Sequence, residues 1–349
     1  MAARNPSLKA FLLALVVLGA GCGQKSEPYD PLKFMVWGGQ SDYNNPLSIL
    51  FHDLPGGRPI DSFDRLVALK LLDHRLTLPD ERLPWPSEFF PTWFGGVSGR
   101  WQDPKVLLLL RSLTGFDPPS PADAHALVDA VDRGDQAAAA RLYRLAPTEK
   151  YDLAVGDYDF HVSRAESLIR GHNRPEMLLA TPFWMGYCNG AALAALRFRE
   201  PVREVDVVSS DGHAIRFHPN DVKALLALSH TQAEFAHWQI GRRCDRYTTS
   251  TPECNDVNPA TLVIALTNRI GLRKSGFVID TNPLAPVINM AVRSTFVSVL
   301  RPPYRVLAPD PIKYVVDVAI GIEGASTLIS SSAADRPDPS RGEGYFRPV

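Results

Sequence analysis

Four runs rich in branched and aromatic residues occupy the last third of the chain: Leu262 to Leu266, Phe277 to Asp280, Val292 to Leu300 and Tyr314 to Ile322. Short apolar runs of this kind, bounded by Gly, Pro, Asn and Asp, read as β-strands. They come after a helix-forming stretch and do not alternate with helices. Strands segregated from helices in this way indicate an α+β domain.

Upstream, helix-like segments are broken by Pro-rich loops. Asp64 to Leu72 and Ala122 to Leu142 read as amphipathic helices. Leu83 to Trp93, followed by Phe94, reads as an aromatic loop. Its Trp85, Phe89, Phe90, Trp93 and Phe94 have no regular spacing, which suits core packing better than a ligand box. Val205 to Val208 and Ala214 to Phe217 flank Ser209-Ser210-Asp211-Gly212, and Asp-Gly between apolar runs signals a β-hairpin. Asn220 or Asp221 can cap a helix starting at Val222, with Val222, Leu225 and Leu226 on one face.

The chain has 349 residues, 45% hydrophobic and 21% charged, an ordinary globular composition. Its division is expected as a signal segment over 1–22, a helical and Pro-rich region over 23–150, an α+β domain over 151–330 and a flexible polar tail over 331–349. A net charge of -1 gives no sign of nucleic-acid binding.

The first segment has the order of an export signal. Arg4 and Lys9 precede the apolar run Ala10 to Ala20, and the small residues Gly19, Ala20 and Gly21 lead into Cys22. The run is too short to cross a bilayer, which takes roughly 20 residues as a helix. Polar Gly-Gln-Lys-Ser-Glu after Cys22 suits a tether. These features predict lipidation at Cys22, attachment to a membrane through the lipid anchor, and a place in the bacterial cell envelope.

With Cys22 assigned to lipid, Cys188, Cys244 and Cys254 remain in an oxidising compartment. Cys244 and Cys254 bound the turn-prone stretch RRCDRYTTSTPEC and are expected to close a short disulfide loop, on the order of 2–3 kcal/mol by chain entropy. Cys188 is then the unassigned thiol. It precedes the Ala-rich helix former Ala191 to Leu196, where backbone N–H groups and the helix dipole favour a negatively charged sulfur. Acyl transfer through a cysteine also needs a proton-handling His and an orienting acid or amide. Asp280, closing GFVID, is placed to be that acid.

Five segments in order, FWMGYCNGAALAAL (183–196), NDVKALLAL (220–228), IGRRC (240–244), CNDVNPATLVIALTNRIGLRKSGFVID (254–280) and VINMAV (287–292), resemble the transglutaminase elicitor family over roughly residues 151 to 325. The resemblance implies a papain-like, transglutaminase-like cysteine transferase core preceded by a mainly helical region. It also implies acyl transfer from protein or peptide glutamine side chains to amines, with Cys188 as nucleophile, Asp280 as acid and no cofactor or metal. The family's His, however, falls on Val263 within a strand-like segment. Ala191 replaces an aromatic residue, and Ile288 replaces the Trp before Asn289. His213, His218, His230 and His237 read as surface or packing groups. His230 and His237 are seven apart, whereas the i,i+4 spacing converges on one metal ion. Three functions stay open: an envelope thiol acyltransferase of reduced or lost activity, a non-catalytic binding or scaffolding protein on the same fold, and a cysteine peptidase or amidase.

Overall fold

A computed structural model describes residues 59–92, 95–100, 118–169, 184–232, 257, 259–280, 288–305 and 314–325. The segment over 1–22, Cys22, His237, Cys244, Cys254 and the tail over 331–349 lie outside the described residues.

The strands are β1 (Arg75–Thr77), β2 (Val205–Val208), β3 (Ala214–Phe217), β4 (Val278–Asp280), β5 (Asn289–Arg305) and β6 (Tyr314–Ala325). The main sheet is antiparallel and built on β5. One edge of β5 pairs with β6 from Ala291↔Ala325 to Arg305↔Tyr314. Its other edge takes β4 opposite Asn289 to Ala291, then β1 opposite Ser294 to Phe296. Hydrogen bonds from Val292 N to Phe277 O and from Leu78 N to Arg293 O close the junction. The short β1 therefore puts the early Pro-rich region into the same sheet as the late strands. Pro302 and Pro303 fall where β5 has passed β1 and its register with β6 shifts, a place where missing N–H donors are tolerated.

The helices are α1 (Phe63–Ala68), α2 (Pro121–Asp132), α3 (Gln136–Tyr143), α4 (Pro147–Ala154), α5 (His161–Ile169), α6 (Cys188–Arg197), α7 (Pro219–Gln232) and α8 (Pro259–Ala265). The division expected at residue 150 falls inside α4. Several expected secondary-structure elements need correction. The segment Asp64 to Leu72 is helical only to Ala68, because Lys70 adopts a φ of 56° and turns Leu71 and Leu72 into the core. Ala122 to Leu142 is two helices, broken at Gly134 with a φ of 84°, after which Asp135 accepts from Ala137 N and Ala138 N as a cap. The helix expected from Val222 starts at Pro219, and the Asp221 carboxylate accepts from His218 N at 2.8 Å.

The largest correction concerns Leu262 to Leu266, which is helical and not a strand. Pro259 opens α8, and the chain continues as a π-helix over Leu266–Leu272. Thr267 Oγ1 donates to Val263 O at 2.7 Å and Asn268 Nδ2 to Ile264 O at 3.0 Å, so side chains hold the widened turn. Tertiary packing overrides the β-propensity of Thr261, Val263 and Ile264: Leu266 and Ile270 are fully buried against Leu66, Leu71, Leu76, Val292 and Val297.

A second cluster sets Leu127, Val128, Leu142 and Leu153 against Ile215 and Phe217 of β3. Helix α6 packs on the main sheet with one side and on α7 with another. Its Ala192 packs with Ala291 and Ala325 of the sheet, and its Ala191 packs with Ala224, Ala227 and Leu228 of α7. At Gly190 any side chain would strike the Ala227 carbonyl and Thr231. The small-residue run of α6 is thus what a helix squeezed between a helix and a sheet requires.

Candidate active site

The segment leading into α6 is held by the aromatic loop. Tyr187 N donates to Phe89 O at 2.6 Å, while Thr92 gives Met185 O both its N–H (2.9 Å) and its hydroxyl (3.1 Å). A Cβ at Gly186 would collide with the Phe89 carbonyl and ring, so this pairing needs glycine. Trp85 and Phe90 are buried, in line with their expected packing role, and Trp93 and Phe94 lie outside the described residues. What the sequence did not indicate is that this loop forms the wall behind the cysteine.

Tyr187, fully buried, precedes the cysteine. Its hydroxyl donates to the buried carboxylate of Glu166 on α5, which also accepts from Gln232 Nε2 of α7. The start of α5 is in turn capped by Asp152, which accepts from Val162 N (3.2 Å) and from Ser163 N and Oγ (2.9 and 2.6 Å). Burial pushes the Asp152 carboxyl up to about 7 despite those donors.

Cys188 is the first residue of α6, buried and carrying a thiol rather than a disulfide. The side-chain amide of Asn289 donates to its sulfur at 3.4 Å. Asn289 opens β5 and lies directly across from Asp280, which closes β4. The exposed Asp280 carboxylate accepts from Ile288 N at 3.0 Å. Cys188 and Asp280 therefore come to the same end of the sheet, with Asn289 between them. Sequence reasoning did not single out Asn289, since an Asn ahead of a strand is an ordinary turn residue.

Val263, where the resemblance would put the family's His, is a half-buried residue of α8 packed toward the Leu66–Val297 cluster. The described candidate histidines engage other groups. His213 Nδ1 bonds Asp132 at 2.6 Å, and that carboxylate holds the imidazole above its usual range. His218 Nδ1 accepts from Asn220 N at 3.2 Å, and its ring stands edge-on to Tyr143. His230 Nδ1 pairs with Leu226 O at 2.9 Å and its ring meets Phe198; burial holds it below the usual range. Away from the cysteine, Asp157, Asp159 and His161 bring candidate metal-ligand atoms within 4.8 Å of one another at the surface. Asp157 there accepts from the backbone of Asp159 and His161 at the start of α5, so its hydrogen bonding is that of a helix cap.

Among the described residues, no helix is long and apolar enough to cross a membrane. No curated protein matches the chain. The fold is similar to that of the GP42 transglutaminase from Phytophthora sojae, with a TM-score of 0.52 at 18% identity over 85% of this chain and 79% of that one. That likeness bears on the fold, an α+β arrangement of the transglutaminase type. The sequence model of one family, described as Transglutaminase elicitor, matches residues 63–301. The match takes in the aromatic loop, Cys188, Asp280 and Asn289 and covers well over half of the chain, which therefore belongs to the transglutaminase elicitor family.

Proposed function

We propose that the protein is a thiol acyltransferase of the bacterial cell envelope, slow in turnover, that uses Cys188 on glutamine side chains. The observation that carries this reading is the meeting of Cys188, at the start of a buried helix, with the Asn289–Asp280 strand pair. In the first step Sγ bonds to the carboxamide carbon and the C–N bond breaks. The nitrogen leaves as ammonia with the thiol proton, and a thioester remains. A primary amine then displaces Sγ, forming a new amide and returning a proton to sulfur. Asp280 is the orienting acid of the site through its hold on the backbone at Ile288.

Turnover is slow because valine occupies position 263, and a valine moves no proton. A general base typically contributes about 10²–10⁴-fold. The same residue favours a second reading, a binding or scaffolding protein that kept the fold and lost the chemistry. A peptidase or amidase differs in using water as the acyl acceptor.

The signal-like order of residues 1–22 supports export and lipid anchoring at Cys22, and the spacing of Cys244 and Cys254 supports a disulfide. A fluorescent primary amine and a glutamine-bearing carrier protein test the activity. Incorporation that disappears in Cys188→Ser supports the transferase. Deamidation of the carrier without incorporation supports the hydrolase. Equal signals from Cys188→Ser and wild type sink both and leave the binding protein.

A further inference from the structure

We propose that Asn289 is a catalytic residue: its side-chain amide holds the negative charge of the Cys188 sulfur and then that of the acyl oxygen. This rests on the reading of Cys188 as a nucleophile and names the group that serves it.

A thiol sulfur is a weak acceptor, so a carboxamide donor aimed at a neutral thiol contributes little. The same donor facing a charged sulfur makes a charge-assisted bond, roughly twice as strong as a neutral one. Asn289 Nδ2 lies 3.4 Å from Sγ, and the position is built rather than incidental. Asn289 is fixed in register against Asp280, and the Asp280 carboxylate accepts from the preceding N–H of Ile288. On the other side, Cys188 is fixed by the Phe89–Tyr187 backbone bond and by Ala192 packing against Ala291, two residues along β5 from Asn289. The sulfur and the amide are therefore set by two separate elements that pack on each other.

When Sγ bonds to the carboxamide carbon of a glutamine side chain, negative charge moves to the oxygen one bond away. An amide already beside the sulfur can follow it over that distance, together with the first-turn N–H groups of α6. Collapse re-forms the carbonyl and breaks the C–N bond, the nitrogen taking up the proton that left the thiol and departing as ammonia. Asn289 takes up no proton in this sequence. Its part is to hold charge and not to act as a base.

The test is alkylation of the full chain by iodoacetamide at pH 6 and pH 9, followed at the Cys188 peptide by mass spectrometry. Asn289→Ala slows the reaction at pH 6 by about 10-fold, the lower end of what a hydrogen bond to a charged group contributes. At pH 9 the difference shrinks, because bulk base then deprotonates the thiol in both proteins. Asn289→Asp, nearly identical in shape, replaces the donor by a negative charge, is slower still at pH 6, and decides the matter if the alanine variant fails to fold. Folded variants that react at the wild-type rate at pH 6 overturn the role of Asn289 and leave Cys188 as nucleophile. A wild-type Cys188 no faster than a thiol in an unfolded peptide overturns both.

Discussion

Asn289 and Asp280 stand directly opposite each other across β5 and β4, and the Asn289 side-chain amide reaches the Cys188 sulfur at 3.4 Å. The Asp280 carboxylate accepts from the backbone N–H of Ile288, the residue before Asn289. This order, sulfur then amide then carboxylate, organises the expectations for the site.

Asp280→Ala removes the acceptor for Ile288 N and loosens Asn289 against the sulfur. Because the carboxylate is exposed, stability falls by only about 0.5–1.5 kcal/mol, the net worth of one hydrogen bond. Amine incorporation is expected to fall about 10-fold, a larger fraction than the stability loss would remove. Urea denaturation and the fluorescent-amine assay, run on the same preparation, check the split.

Tyr187→Phe keeps the ring in its pocket and removes the donor to buried Glu166. Loss of one donor to a buried carboxylate costs about 1–3 kcal/mol. The midpoint of urea unfolding should fall accordingly. An unchanged midpoint would mean that water or another donor replaces the hydroxyl without loss.

Gly190→Ala puts a methyl group against the Ala227 carbonyl and Thr231, so α6 must move away from α7. Overpacking of this kind costs about 1–3 kcal/mol. Because Cys188 lies two residues earlier on the same helix, its iodoacetamide reactivity should change with the melting temperature. Gly212→Ala in the β2–β3 turn meets no neighbour within 4 Å but strains a φ of 98°. It should lower the melting temperature without altering reactivity at Cys188.

Asp152 sets a pH dependence of stability with an inverted sign. Its carboxyl titrates near 3.8 when unfolded and is raised to about 7 in the fold by burial. Between those values the folded state binds the extra proton, so this group's contribution to stability falls as pH rises from about 4 to about 7. Asp152→Asn removes the titration. Its stability, measured by denaturation across that range, should be flatter than wild type; a parallel pair of curves would rule the assignment out.

How much could be read from residues alone depended on how local the cause was. The β2–β3 hairpin was legible residue for residue, because Asp211-Gly212 dictates the turn and Gly212 takes a positive φ. Cys188 at a helix start was legible too, from the small residues that follow it. The strand expected over Leu262 to Leu266 was wrong because Thr261, Val263 and Ile264 look β-prone, whereas packing of Leu266 and Ile270 under the sheet winds the segment into α8 and a π-helix. Strand β1 has three residues, and its partner lies in β5, far along the chain, so no local pattern announces it. Asn289, named only as the residue after Ile288, was given no role for the same reason. Its role comes from the neighbour across the sheet and the helix packed on it, not from the residues beside it.

The most direct test of the central claim is intact-mass analysis of the chain after incubation with a short glutamine-containing peptide and acid quenching. An adduct equal to the peptide less one ammonia, located on Cys188 and released by hydroxylamine, is expected in wild type and not in Cys188→Ser. Wild-type protein that stays unmodified under conditions where iodoacetamide labels Cys188 would contradict that claim.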